Sequence, residues 1–320
     1  MKKLTFLILA VFATLTTAFA EPGSDKDRFE KNYDYTGFTA VSIANAFRVD
    51  LTFADRFEVY VDVPAYIEPY LRVNKSGDKV RIDLERLPMD IQNKLNKESD
   101  QLKARIVLPK MTGLQASGAV DIDAHGKLRL DDETLRIQIS GASKLNDLEA
   151  SGSGQLSLQL SGASNATMKA AFQKKALIDL SGASKIAFEG GSQTLSLEGS
   201  GASKAQIKGD FDKVVADLSG SSSGKIEGNT DELSLEVSGA SNFEIDGTTK
   251  NATVELSGVS KCRLAMTGKL LDSTTPCSMC RRVIINAGIS KVICRISETE
   301  FTETEVRDWV FNDDSLVMRL

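Results

Sequence analysis

Apolar and polar residues alternate with period two along most of this chain, and glycine interrupts the alternation at regular intervals. Counting back from Gly182, the residues Leu180, Ile178 and Ala176 share one parity; counting forward, Ile186 and Phe188 share it too. The same pattern surrounds Gly239, with Val237, Leu235 and Leu233 before it and Phe243 and Ile245 after it. Alternation on both sides of a turn predicts two strands per unit, each sending every second side chain into one interior.

The turn glycines are Gly118, Gly141, Gly162, Gly182, Gly201, Gly220, Gly239, Gly258 and Gly288, and from Gly162 to Gly258 the steps are 20, 19, 19, 19 and 19 residues. A unit repeated at such a period can bury its apolar side only against its neighbours, which is the logic of a solenoid. A second glycine stands eight residues later in five units, at Gly126, Gly190, Gly209, Gly228 and Gly247, and marks an opposite corner. The prediction is an all-β chain wound as a narrow parallel β-helix, a single-stranded solenoid with about 19 residues per coil. Glycine suits the corner because the chain must turn sharply while neighbouring coils approach closely. The serine two positions later (Ser143, Ser164, Ser184, Ser203, Ser222, Ser241, Ser260, Ser290) has inward parity. Its hydroxyl can bond turn backbone and other serines. Eight copies with no histidine beside them read as a ladder, not as nucleophiles.

The pattern divides the chain. Residues 1–20 carry Lys2 and Lys3, an apolar run and Ala18-Phe19-Ala20, the layout of a cleaved signal peptide. Residues 21–34 are polar and read as a flexible leader. Residues 35–113 hold less regular strands, with an inserted loop or short helix over 86–101; residues 114–298 hold the regular Ser-Gly-Ala-Ser repeats. A second insertion over 271–281 stretches the interval between Gly258 and Gly288. Residues 299–320, with Trp309, Val310 and Phe311, leave the repeat and read as a cap over an end that would otherwise pair with other chains.

Composition excludes more than it assigns. A net charge of −5 does not favour nucleic acid, and one tryptophan and one histidine leave little for a rich catalytic site. Cys262, Cys277, Cys280 and Cys294 are the only cysteines. In an exported chain they are disulfide candidates, with three pairings open. Cys277 and Cys280 form a C-x-x-C, but no second such pair or histidine pair accompanies it, so no zinc site is expected. Neither the hexapeptide of acyltransferase β-helices nor the calcium-binding nonapeptide occurs, and no cofactor or metal is expected. Asp121, Asp123 and His125 alternate onto one strand face and are the nearest approach to a catalytic cluster.

The repeated Ser-Gly-Ala-Ser-Lys, the export signal and the lead-in Phe38-Thr39-Ala40-Val41-Ser42-Ile43 to Phe53, followed by Ala104 to Pro109 and Ser117-Gly118-Ala119-Val120-Asp121, occur in a specific order. In this the chain resembles the bacterial head GIN domain family of autotransporter-adhesin type, over nearly the whole mature length. The resemblance implies a right-handed parallel β-helix similar to pectin-lyase-like folds, without their catalytic residues, and a role in adhesion. The insertions over 86–101 and 271–281 depart from it.

Two outward rows flank the turn. Three residues before the glycine stand Asp179, Glu198, Asp217, Glu236 and Glu255; three after it stand Lys144, Asn165, Lys185, Lys204, Ser223, Asn242, Lys261 and Lys291. Stacked like charges repel by up to about 1 kcal/mol per pair, less in salt. Solvent alone can offset this; so can cations along the acids or an acidic glycan along the lysines. The expected function is a secreted, non-enzymatic adhesin or surface-binding module whose partner is a glycan or a cell-surface protein, with homo-oligomers as a further option. The alternatives are a polysaccharide-active lyase or hydrolase, or a purely structural envelope protein.

Overall fold

Two rows of alternating apolar residues on either side of a turn are buried together only when the strands before and after the turn form opposed sheets. The computed structural model describes residues 27–98, 102–263, 291–295, 301–305 and 307. The expected signal segment, the insertion over 271–281, Cys277, Cys280, Gly288 and Ser290 lie outside those residues.

From Gly113 to Arg263 the chain winds as a parallel β-helix. Strands preceding the turn, from Thr134–Ile139 to Thr249–Leu256, stack in parallel as one sheet, here sheet B. Strands following it, from Lys144–Gly152 to Lys261–Arg263, stack as the other, sheet A. The solenoid has about eight turns. Every inward apolar position named above is buried, from Ala176, Ile178 and Leu180 to Phe243 and Ile245. The interior is one continuous apolar cluster.

The turn is itself a ladder. The Ala183 N–H donates to the Gly162 carbonyl at 2.7 Å, Ala202 to Gly182 at 2.7 Å, and Ala240 to Gly220 at 2.7 Å. The buried serines brace it from inside. The Ser164 hydroxyl donates to the Ser161 carbonyl at 2.9 Å, and the Ser222 hydroxyl donates to the Ser219 carbonyl at 2.7 Å while accepting from Ser203 at 3.1 Å. The Ser184 hydroxyl is buried without such a partner. Ser222→Ala is therefore expected to cost about 1–2 kcal/mol, and Ser184→Ala close to nothing, because only the first leaves a buried group unpaired. Urea unfolding of the two variants checks this; equal losses would refute it.

The N-terminal part departs from sequential winding. It comprises β1 (Arg28–Tyr33), β2 (Ala40–Asn45), β3 (Phe47–Phe53), β4 (Glu58–Pro64), a 3-10 helix (Ala65–Tyr70), β5 (Leu71–Ser76), β6 (Lys79–Leu84), α1 (Met89–Glu98), β7 (Leu102–Leu108), β8 (Gly113–Gly118) and β9 (Asp121–His125). The β2–β3 coil lies between two others: β2 pairs in parallel with both β6 and β8, and β3 with both β7 and β9. Strands β4 and β5 then pair antiparallel on the outer coil, and β1 pairs antiparallel on β4. Residues 28–33 thus correct the reading of 21–34 as a flexible leader: β1 is the last strand of sheet A. Its Arg28 and Lys31, with Arg72 and Lys75 on β5, place charges on both edge strands, which discourages pairing with other chains.

Helix α1 falls within the insertion expected over 86–101. It joins β6 to β7, so it occupies the place that the glycine turn has in later coils. The turn ladder consequently starts at Asn45, which pairs with Gly118 and has φ 75°. The Asn45 side-chain oxygen accepts the Leu84 N–H at 2.8 Å, closing the end of the ladder.

At the other end the regular coil, expected over 114–298, is not the arrangement of residues 291–295. Lys291–Arg295 pairs antiparallel with Phe301–Glu305 in a two-stranded sheet of its own. Lys291, expected in the lysine row, is opposite Glu305 there. The expected cap over 299–320 falls mostly outside the described residues.

Candidate functional site

Because inward and outward residues alternate, stacking in register turns each outward position into a straight row about 4.8 Å per rung. Asp179, Glu198, Asp217, Glu236 and Glu255 are successive register partners on sheet B, and all five are exposed. Among the described residues none of them has a lysine or arginine within ion-pair distance. The row does not begin at Asp179. Gln115, Gln138 and Gln159 occupy the same position in the preceding coils, and their amides chain at 2.8 and 2.9 Å. An amide both donates and accepts, so a glutamine stack satisfies itself, whereas a carboxylate stack cannot.

On sheet A, Lys144, Asn165, Lys185, Lys204, Ser223, Asn242 and Lys261 are in register as expected. Only Lys185 and Lys204 are direct neighbours. The four lysines are exposed, and no carboxylate pairs with them among the described residues. Arg48 and Asp121 extend the row below Lys144.

A third row contrasts with both. Lys127, Glu149, Lys169, Glu189, Lys208, Glu227 and Asp246 are in register on sheet A and alternate in sign over their first six rungs. Lys169 pairs with Glu189 at 3.5 Å and Lys208 with Glu227 at 2.9 Å. Hydrogen bonds from Lys208 and then Lys225 hold the Glu227 carboxyl below the usual carboxylate range. The same bond raises the Lys225 ammonium above its ordinary value. This scaffold therefore neutralises a row internally at one position and leaves like charges stacked at two others.

The Asp121, Asp123 and His125 cluster does share one face of β9. Asn146 donates its amide to both carboxylates, at 3.0 Å to Asp121 and 2.8 Å to Asp123. A β-bulge between Leu145 and Leu148 inserts one extra residue directly after Asn146, and Asp147 there takes φ 55°. The two acids share one donor and one environment, unlike the opposed environments that separate an acid from a base. No group of three or more metal-ligating side chains occurs among the described residues.

Cys262, inward on the last described rung, carries no disulfide in this structure. Burial pushes its thiol up to about 11. The side chains of Cys277, Cys280 and Cys294 lie outside the described residues.

Comparison with known proteins decides the family. The family model described as "Putative auto-transporter adhesin, head GIN domain" matches residues 37–174 and 167–273. The chain belongs to the head GIN domain family. No curated protein matches it. Among solved structures, the chain is similar to a "putative adhesin" of Parabacteroides distasonis, at 13% identity and a TM-score of 0.59, covering 76% of this chain and 98% of that one. A "putative adhesin" of Parabacteroides merdae follows at 14% identity and TM-score 0.56, covering 77% and 98%. A "Putative lipid binding protein" of Parabacteroides distasonis matches at 11% and 0.58, covering 76% and 98%. At these identities the likeness shows the fold alone.

Within this head GIN chain the glutamine stack and the alternating ladder were missed by sequence reasoning, although a signal was present. The glutamines stand three residues before their glycines, as the acids do. The alternating ladder stands seven residues after the glycine in the regular coils, as Glu189 does after Gly182.

Proposed function

We propose that this head GIN protein is an exported, non-enzymatic surface-binding module that holds an extended anionic polymer, a glycan with acidic units, along the lysine row beside the turn. The observation that carries this reading is the straight register of Lys144, Lys185, Lys204 and Lys261, all exposed and none paired with a carboxylate among the described residues. A polymer with its own repeat can meet successive rungs spaced by about 4.8 Å without a pocket. The filled interior supports an external site, since every inward row of the regular coils is occupied by packed side chains. The family's description as an adhesin agrees with export and surface display. The shared Asn146 donor speaks for a structural role of Asp121 and Asp123 and against the enzyme alternative.

The test uses the mature chain, residues 21–320, on an array of acidic and neutral glycans. Wild type is expected to retain acidic glycans at low salt and release them as salt rises. The double variant Lys185→Glu, Lys204→Glu is expected to bind at least ~10-fold more weakly, about 1.4 kcal/mol, with an unchanged circular dichroism spectrum. Undiminished binding by that variant removes the lysine row from the site.

A further inference from the structure

Among the described residues the acid row has no cation within ion-pair distance, yet the chain carries a row of lysines on its other face. Five carboxylates stack on the outer side of sheet B, and the lysine row stacks on the outer side of sheet A. Both positions recur once per coil because both belong to the same winding, so their rung spacings agree without adjustment, although Asn165, Ser223 and Asn242 interrupt the lysines. Beside the acids runs an uncharged strip, Leu177, Ser196, Val215, Ser234 and Thr253, in the same register. Val215 is 37% exposed there, one of three large apolar side chains standing out on the described surface. A shallow depression of about 210 Å³ lies over Ser196, Val215 and Ser234, with Glu198, Asp217 and Glu236 along it. A flat, partly apolar strip bordered by a line of one charge is suited to an equally flat, straight surface of the opposite charge.

We propose that the acidic face of sheet B docks on the lysine row of a second copy, so that the rods associate side by side. With rungs matched, Lys185, Lys204 and Lys261 of one copy face three of the five carboxylates of the other, while Ser223 and Asn242 face the remaining two. The contact joins unlike faces, so each added copy leaves one acidic and one basic face free, and growth does not stop at a dimer. Five rungs at about 4.8 Å and strands of about 20 Å give roughly 500 Å² per partner, the small end of specific interfaces. The association is therefore weak and carried by charge. It goes beyond the glycan reading and does not depend on it, although a polyanion would compete for the same lysines.

Sedimentation velocity of residues 21–320 without any glycan tests it. Wild type is expected to show species larger than the monomer at low salt, increasing with concentration, and monomer alone at high salt. The acid-reversed variant Glu198→Lys, Asp217→Lys, Glu236→Lys and the base-reversed variant Lys185→Glu, Lys204→Glu should each associate at least ~10-fold more weakly. Mixed together they should associate again, since an intact lysine row then meets an intact acid row. Should reversal disturb folding by circular dichroism, the neutral set Glu198→Gln, Asp217→Asn, Glu236→Gln is expected to lose association likewise. A wild type that stays monomeric at low salt overturns the proposal, as does a mixture that stays monomeric. Retention of a monomeric wild type on polylysine would instead assign the acidic face to a cationic polymer.

Discussion

Gly201→Ala is expected to destabilise the rod by about 3 kcal/mol, a loss out of proportion to one methyl group. Gly201 has φ +73°, where an L side chain costs roughly 1–2 kcal/mol. Its added Cβ would stand 2.6 Å from the Gly182 carbonyl oxygen and 3.1 Å from the Gly182 nitrogen. That carbonyl already accepts the Ala202 N–H at 2.7 Å, so relieving the clash stretches the bond that holds the two turns together. Each turn stacks on the last, and Gly220 would meet Gly201 in the same way. The thermal midpoint should fall by roughly 5–10 °C. Asn45 supplies the control, since it has φ 75° at the same position with α1 in place of a turn beyond it. Asn45→Gly loses only the acceptor for Leu84, about 1 kcal/mol. Equal midpoints for Gly201→Ala and wild type would show that the turn stack yields freely.

Phe243→Ala is the second large effect, expected at about 3–5 kcal/mol. The ring is fully buried on the inner side of sheet A. Its register neighbour is Gly224, at an inward position that other coils fill with Ala166, Ile186 and Ala205. The pairing is one of large against small. A Cβ on Gly224 would lie 2.8 Å from Phe243 Cδ2 and 3.1 Å from Leu218 Cδ1. Gly224→Ala should therefore be destabilising alone, and less so when Phe243→Leu removes the ring edge. The double-mutant cycle is expected to show a coupling of about 1 kcal/mol. Strictly additive losses in urea unfolding would refute the packing account.

Much of the proposed binding surface was legible before any coordinates, because both charged rows follow from counting three residues either way from a glycine. Register pairing bears out the counting at Asp179 through Glu255 and at Lys144 through Lys261. Missing from the sequence reading was the electrostatic contrast. Whether a charge is neutralised depends on the rung above and below, and Lys208 with Glu227 became a pair only once their strands were adjacent. Lys291 shows the opposite failure, since its spacing from Gly288 satisfied the count while its strand pairs antiparallel with Phe301–Glu305.

The sequence by itself determined the all-β solenoid, its period, its corners and which side chains face inward. Period-two alternation and glycine spacing are local properties, and each coil states them for itself. Only the tertiary structure decided which coil lies beside which. The β2–β3 coil could have ended the rod, yet it sits between β6–β7 and β8–β9, because every coil presents the same two backbone edges and alternation is satisfied on either side. The fate of residues 28–33 and of α1 was decided in the same way. β1 is a strand because β4 offers it an edge, and α1 replaces a turn because it joins strands at the outer end of the turn ladder, where Asn45 closes the stack.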